Sequence, residues 1–218
     1  MASPSSAPRP TNPALRRLVE FYDPATKGVD ACGRTLDQIL SWRDTRLETQ
    51  HDYIQTLFPL PEGSLFNDLA PVIDEETFLY FRQHDGLRSN LRRAFERILA
   101  FYGFEIKPQG DADADAGRVT VTAKNNNAEN FARWVRRMDH NHLRITRIIR
   151  CLRVLGLEKE ARGFYDALVR TRDTLGQIGA QSMEFWKRAI EKPLHTAPDG
   201  TDVEWLEKYE SEDDKKHG

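Results

Sequence analysis

Two stretches of the chain combine ionisable side chains with apolar residues at helical spacing. The first covers residues 51–58 (HDYIQTLF), and the second covers residues 139–152 and contains two histidines, an asparagine and three arginines. Imidazole and carboxylate groups transfer protons, whereas guanidinium groups hold carboxylates and phosphates. These two stretches are therefore the candidates for a functional site.

The first stretch belongs to a predicted helix from Asp44 to Phe58, which Pro59 must end. At about 100° per residue, four polar side chains share one face of this helix, opposite an apolar face. They are Glu48, His51, Asp52 and Gln55. A carboxylate one turn from an imidazole holds the ring cationic or fixes its tautomer, which suits proton transfer or ligand anchoring. The alternative is a solvated polar face.

The second stretch predicts a helix from Asn141 to Leu155, ended by Gly156. Its isoleucines and leucines form an apolar face, and Asn141 projects onto the same face. Either Asp139 or Asn141 is expected to cap the helix N-terminus. The ligand-binding candidates in this stretch are Asn141, His142, Arg144 and Arg147.

Arginines recur at every third position of this second helix. They are Arg144, Arg147, Arg150 and Arg153. One interpretation is a surface helix whose solvated arginine stems cover apolar flank. The other is a patch for a small anion or an acidic partner. The formal net charge of −2 and the lack of a following aromatic ladder give no nucleic-acid signal beyond this local stripe.

Other catalytic and ligand signatures are absent from the sequence, so no catalytic residue can be assigned. There is no HExxH, paired CxxC, GxSxG, P-loop or GxGxxG pattern. His140 and His142 lie about 200° apart on a helix and cannot share one metal from it. We therefore predict no metal and no cofactor, and whether the protein is an enzyme stays open, with a non-enzymatic role preferred.

The pattern of apolar residues predicts an all-α fold, a single compact domain of seven to nine helices over residues 12–192 with no substantial sheet. Residues 1–11 and the acidic tail 193–218 are expected to be mostly disordered, although Val203 and Leu206 could dock. Residues 107–124 are expected to form an exposed acidic loop. Val119 and Val121 suit a short strand, but no partner strand is evident.

The sequence also bears on location and assembly. Cys32 and Cys151 lie far apart in the chain, so no disulfide framework is expected and a reducing compartment fits. No apolar run reaches the ~18 residues of a membrane span, and the N-terminus lacks a signal-peptide core. We expect a cytoplasmic or nuclear protein, and the oligomeric state cannot be predicted.

The two polar stretches resemble the signature blocks of the opioid growth factor receptor conserved-domain family. The resemblance includes HDYIQ followed by LFP (51–59), then HNHLRITRI (140–148) ahead of CL (151–152) and LG (155–156). FYG (101–103) resembles the block between them, and Phe21-Tyr22 and residues 182–186 give weaker support. Together the blocks span residues 12–192, and the short acidic tail resembles fungal and bacterial members.

This resemblance implies an all-helical, receptor-like domain without a transmembrane segment. Animal members of the family bind the enkephalin peptide, associate with the outer nuclear envelope, enter the nucleus and restrain growth. A membrane association is thus part of what the resemblance implies. We expect a short peptide or a small anionic or zwitterionic ligand as partner, with Glu48 and Asp52 near its amine and Arg144 and Arg147 near its carboxylate.

Two other functions compete with this binding module. In an enzyme with a helical pocket, His51 with Glu48 or Asp52 would act as acid and base, and Arg144 and Arg147 would hold an anion. In a nucleic-acid-binding protein, the arginine stripe would contact phosphates. A further alternative is that the polar residues form a buried network that only fixes the fold.

Overall fold

The computed structural model describes residues 8–63, 70–107 and 118–210, and it is 59% helical. Within these ranges the chain forms ten α-helices, a short 3₁₀ helix and a two-stranded sheet. The all-α prediction is confirmed. The α-helices are α1 Pro13–Tyr22, α2 Leu36–Leu40, α3 Asp44–Thr49, α4 Tyr53–Leu57, α5 Glu75–Gln83, α6 Asp85–Tyr102, α7 Ala128–Trp134, α8 His140–Val154, α9 Glu158–Leu175 and α10 Ala180–Glu191.

Backbone contacts divide the chain into two compact units, Met1–Ala94 and Phe95–Gly218. The boundary falls inside α6. Each unit contains its own set of buried apolar side chains.

The first unit is built around α1, which begins as the sequence predicts. Asn12 is the N-cap, and its side chain accepts a hydrogen bond from the Ala14 amide at 2.9 Å, directly before Pro13. The apolar face of α1 ends in Tyr22, which is fully buried. The Asn90 amide of α6 donates to the Tyr22 carbonyl at 2.8 Å, so the last turn of α1 is fixed to α6.

The predicted helix from Asp44 to Phe58 is wrong as a single element. It divides into α3 and α4, because Gln50 has an extended conformation with ψ of 139°. The buried hydroxyl of Tyr53 donates to the Leu47 carbonyl at 3.0 Å and satisfies an acceptor near the end of α3. The polar run 49–52 has weak helix formers and supplies no apolar residue to hold a continuous helix against the core.

The second unit is built on α8, α9 and α10, which pack on one another. Ile145, Ile148 and Ile149 of α8 are fully buried, as the predicted apolar face requires. Trp134 and Trp186 are also fully buried. The indole N–H groups donate to backbone carbonyls, Trp134 to Tyr102 at 3.1 Å and Trp186 to His142 at 3.0 Å.

The second unit also contains a small antiparallel sheet that the sequence does not predict. Strand β1, Phe104–Ile106, pairs with β2, Val121–Ala123, so the predicted loop is wrong at residues 121–123. The partner strand follows α6 directly, because Gly103 turns the chain with φ of +89°, a conformation that favours glycine. Gly163 of α9 lets this sheet approach, since a Cβ there would lie 2.3 Å from the Val119 carbonyl oxygen. The acidic repeat at 111–117 lies outside the described residues.

Ordered structure extends beyond both ends of the predicted domain. Pro10 is buried, and Thr11 donates from its amide and its hydroxyl to Glu76, each at 3.0 Å. At the other end, Val203 directly before the 3₁₀ helix Glu204–Tyr209 and Leu206 within it are buried, in agreement with the expected docking. Residues 1–7 and 211–218 lie outside the described part. No helix in the described ranges has both the length and the apolar character needed to cross a bilayer.

Candidate functional site

Asn141 is the centre of a buried hydrogen-bond network at the start of α8. Asp139 is the N-cap, and its carboxylate accepts from the Asn141 amide at 2.9 Å and from its side-chain nitrogen at 3.0 Å. The Asn141 side-chain oxygen accepts from Arg144 at 3.2 Å and from the Tyr102 hydroxyl at 3.4 Å. Because Asn141 has no exposed surface, its polar atoms meet only protein partners. The cap prediction is thus confirmed for Asp139.

His142 is a neutral histidine held from both ring nitrogens. Its Nε2 lies 2.9 Å from the Trp134 carbonyl, which can only accept, so Nε2 bears the proton. Its Nδ1 then accepts from the Ser182 hydroxyl at 2.7 Å. Burial lowers the pKa of His142 below its ordinary value, which keeps the ring neutral. The His142 and Trp186 rings pack edge to face, with 5.3 Å between their centroids.

The arginine stripe of α8 points largely into the protein. Arg144, Arg150 and Arg153 are buried, with 6%, 1% and 4% exposure, so the interpretation as a solvated surface helix is wrong. Arg153 donates to the carbonyls of Ala189 and Lys192 at 3.1 and 2.9 Å, which satisfies acceptors at the C-terminus of α10. Arg150 donates to the Leu194 carbonyl at 2.7 Å. Arg147 is half-buried.

The candidates of the first stretch have a different environment. Glu48 is half-buried near the end of α3, and His51 is exposed in the link to α4. Asp52 forms an ion pair with Arg34 at 2.9 Å. Gln55 is buried, and with its amide nitrogen turned inward it donates to the carbonyls of His51 at 2.8 Å and Asp52 at 3.2 Å. Because the helix is interrupted, these four side chains do not form the continuous helical face that the sequence predicts.

The two sets of candidates lie in different units. Glu48, His51, Asp52 and Gln55 belong to the first unit, and Asn141, His142, Arg144 and Arg147 belong to the second. Within the second unit, the contacts of Asn141, His142 and Arg144 favour the alternative of a buried network that fixes the fold. A ligand-binding role for the eight residues stays a prediction.

The first unit contains a cleft that the sequence reading did not find. It has a volume of about 280 Å³ and lies where the end of α1, the start of α2 and α6 meet. Its lining residues are Phe21, Asp23, Pro24, Lys27, Thr35, Leu36, Asp37, Asn90 and Arg93. That volume is at the lower end of the ~300–1,000 Å³ typical of small-molecule sites.

Charged groups of both signs surround this cleft. Arg93 donates to Asn90 at 2.9 Å and to Asp37 at 2.8 Å, so its guanidinium is fixed although its side chain is 50% exposed. Hydrogen bonds from the Thr26 hydroxyl and the Ala25 amide lower the pKa of Asp23, which keeps it ionised. Lys27 is exposed and has a left-handed backbone with φ of 49°, an unusual conformation for a residue other than glycine.

These cleft residues have only weak signals in the sequence. Asp23-Pro24 marks the end of α1. Thr35 and Gln38 form a capping box at the start of α2, in which the Gln38 side chain accepts from the Thr35 amide at 2.8 Å and the Thr35 hydroxyl accepts from the Gln38 amide at 3.2 Å. Such signals mark helix ends, but they do not show that the end of α1, the start of α2 and the side of α6 come together in space. Among the described residues, no group of three or more His, Cys, Asp or Glu side chains has the arrangement of a metal site.

The fold and its polar residues define an all-α domain with a hydrogen-bonded network at the N-terminus of α8. A family model described as the opioid growth factor receptor conserved region matches residues 19–196. The chain belongs to this family, which confirms the assignment made from the two polar stretches.

Similar proteins agree with this family. The chain is 36% identical to the opioid growth factor receptor of Rattus norvegicus over 132 residues, which are 58% of this chain and 21% of the relative. It is 31% identical to opioid growth factor receptor-like protein 1 of Mus musculus over 166 residues, which are 72% of this chain and 33% of the relative. The chain thus spans about a fifth to a third of these relatives. No solved structure matches it.

Proposed function

We propose that this domain is a non-catalytic module that binds a short peptide, and that the cleft of the first unit receives one end of that peptide. The observation that supports this is the mixed charge of the cleft, with Asp23 and Asp37 facing it beside Lys27 and Arg93. A group of balanced charges suits a ligand with both an amine and a carboxylate. The matched relatives are named receptors, and that name is extended to this chain as part of the proposal.

The chemistry of the cleft supports binding over catalysis. None of its nine lining residues is a histidine or a cysteine. The Thr35 hydroxyl accepts from the Gln38 amide at 3.2 Å as part of the helix cap, which gives it a structural role. The lining thus has no histidine or cysteine with which to form the common nucleophile–base pairs.

The fixed guanidinium of Arg93 is the expected anchor. Its hydrogen bonds to Asn90 and Asp37 orient the group before a ligand arrives, which reduces the entropy lost on binding. A ligand carboxylate would meet Arg93 and the ammonium of Lys27, and a ligand amine would meet Asp23 or Asp37. The cleft is small, so only a terminal part of a peptide enters it.

The proposal is tested by titrating the protein with enkephalin, the peptide that the family resemblance implies, while recording amide NMR shifts. We expect shifts at Lys27, Asp37 and Arg93, and about tenfold weaker binding, or ~1.4 kcal/mol, for Arg93→Ala and for Lys27→Ala. Arg17→Ala, an exposed residue of α1 outside the cleft, is the matched control and should bind as the unchanged protein does.

A second titration uses the same peptide with an acetylated N-terminus and an amidated C-terminus. We expect binding to weaken strongly because both terminal charges are gone. Equal affinity for the blocked peptide, or unchanged affinity in both cleft variants, would show that the cleft does not read the peptide ends and would reject the proposal.

A further inference from the structure

The entrance of α8 exposes two large apolar side chains side by side. Met138 directly precedes the N-cap Asp139, and Leu143 is the fourth residue of the helix. At these two positions apolar side chains meet across the start of a helix as a hydrophobic staple. Met138 is nevertheless 72% exposed and Leu143 is 59% exposed, the two highest values among the exposed large apolar residues in the described part.

A staple alone does not account for this exposure. Single exposed apolar residues are common on protein surfaces, whereas adjacent ones mark interaction sites more often. Here most of the apolar area of both side chains is in water. Covering it would remove apolar surface from water, which favours association.

Two arginines and a histidine flank this apolar pair. Arg136, Arg137 and His140 are all exposed. The nearest acid in the sequence, Asp139, has 8% side-chain exposure and caps α8. Its carboxylate lies 3.4 Å from Arg136 and 3.3 Å from His140, so the positive charge that faces solvent is chiefly that of Arg137. We name Arg136, Arg137, Met138, His140 and Leu143 the α8 entrance patch.

The backbone beneath the patch is fixed at several points. The Arg137 carbonyl accepts from the Gly179 amide at 3.2 Å, and a Cβ at position 179 would lie 2.5 Å from that oxygen. The Trp134 carbonyl accepts from the Arg136 amide at 2.9 Å and from His142 at 2.9 Å. A partner would therefore meet a surface that is already ordered, which lowers the cost of binding.

We propose that the α8 entrance patch is a docking surface for an acidic segment of a partner protein that presents two apolar side chains. Carboxylates of the segment meet Arg136 and Arg137, and its apolar side chains cover Met138 and Leu143. Nucleic acid would leave that apolar pair without a matching surface. A second copy of this chain in a symmetric dimer would place the patch against the same patch, so two surfaces of like charge would meet. The proposal is independent of the cleft, which lies in the other unit.

The test uses a fluorescein-labelled peptide of twelve residues, made of glutamates and aspartates with two leucines four positions apart. Fluorescence anisotropy measures its affinity for the full chain. We expect Arg137→Glu, and separately Met138→Ser with Leu143→Ser, to weaken binding by about tenfold or more. Matched controls are Arg172→Glu and Leu175→Ser near the end of α9, whose side chains are 49% and 42% exposed; both should bind within about twofold of the unchanged protein.

A second peptide with serines in place of the leucines keeps the charge and loses the apolar contact. We expect it to bind at least about tenfold more weakly. Equal binding of both peptides, no binding by the unchanged protein at millimolar peptide, or equal affinity in the patch variants would overturn the proposal. A dimer in light scattering that Leu143→Ser abolishes would also overturn it, in favour of contact between copies. Circular dichroism and thermal melting confirm that every variant is folded, as expected for exposed positions.

Discussion

The two polar stretches have similar compositions and opposite environments. At the start of α8, Asn141 and His142 lie in the core, and all their described polar contacts are with other protein groups. Between α3 and α4, His51 is exposed and Asp52 forms a partly exposed ion pair with Arg34. Polar residues are thus buried where they satisfy groups that packing would otherwise leave without partners.

Gln55 and Arg153 show the same rule in the two units. Gln55 is the buried one of the four polar candidates in the first unit, and its amide donates to the two carbonyls directly before α4. Arg153 donates to two carbonyls where α10 ends, and the C-terminus of a helix leaves such acceptors without intrahelical donors. In both places the buried side chain is a donor to backbone carbonyls.

The largest effect is expected for Asn141→Leu. Leucine has a similar size but cannot bond to Asp139, Arg144 or Tyr102, so a buried carboxylate and a buried guanidinium lose a partner. We expect the free energy of unfolding to fall by about 3 kcal/mol. Urea unfolding followed by circular dichroism measures it. In the other stretch, His51→Leu should change the value by less than about 0.5 kcal/mol.

Equal losses for Asn141→Leu and His51→Leu would remove the contrast between the stretches. A loss below about 1 kcal/mol for Asn141→Leu would mean that its hydrogen bonds are replaced by others, and the network would then not explain why an asparagine is buried there.

The helical class and the start of each unit's main helices were predictable. Asn12-Pro13 and Asp139 are strong local cap signals, and the isoleucines of α8 have a clear helical period. The pairing of β1 with β2 was not predictable, because Val121 needs the distant Phe104–Ile106 beside it. The interruption at Gln50 has a local cause, the polar run 49–52, but the apolar period continues on both sides of it and favours one helix.

The candidate site was less predictable than the fold. A polar residue on a helix looks the same in sequence whether it faces solvent, a ligand or a buried carbonyl. The arginines of α8 illustrate this, since their spacing suggested a surface stripe and three of the four are buried. The cleft was missed because Asp23, Asp37 and Arg93 are far apart in the chain and come together only when three helices meet.

A smaller effect is expected from His142 when the pH is lowered. Burial lowers its pKa in the folded protein, whereas the unfolded chain keeps the ordinary value of 6.5. The unfolded state therefore binds the proton first. The contribution of this histidine to stability is complete above pH 6.5 and is lost as the pH falls from 6.5 towards the folded pKa, with a slope of at most ~1.4 kcal/mol per pH unit.

Urea unfolding at a series of pH values between 8 and 5 measures this effect. If His142→Gln removes the slope of the free energy of unfolding against pH, that slope belongs to His142. The exposed neighbour provides the control, because His140→Gln should keep the slope of the unchanged protein. If His140→Gln removes the slope and His142→Gln keeps it, the assignment of the neutral, buried ring to His142 is wrong.

The smallest effect is expected for Gln55→Met, which tests whether the first stretch also contains a buried group that stabilises the fold. Methionine keeps the length of the side chain but cannot donate to the carbonyls of His51 and Asp52. The free energy of unfolding should therefore fall by about 1 kcal/mol. Gln50→Met, at an exposed position in the same link, should leave the value within about 0.5 kcal/mol. Urea unfolding distinguishes them. If both substitutions are neutral, the polar residues of the first stretch do not stabilise the fold, and the contrast with α8 is larger than the structure indicates. A loss as large as that of Asn141→Leu would instead mean that both stretches stabilise their units to the same degree.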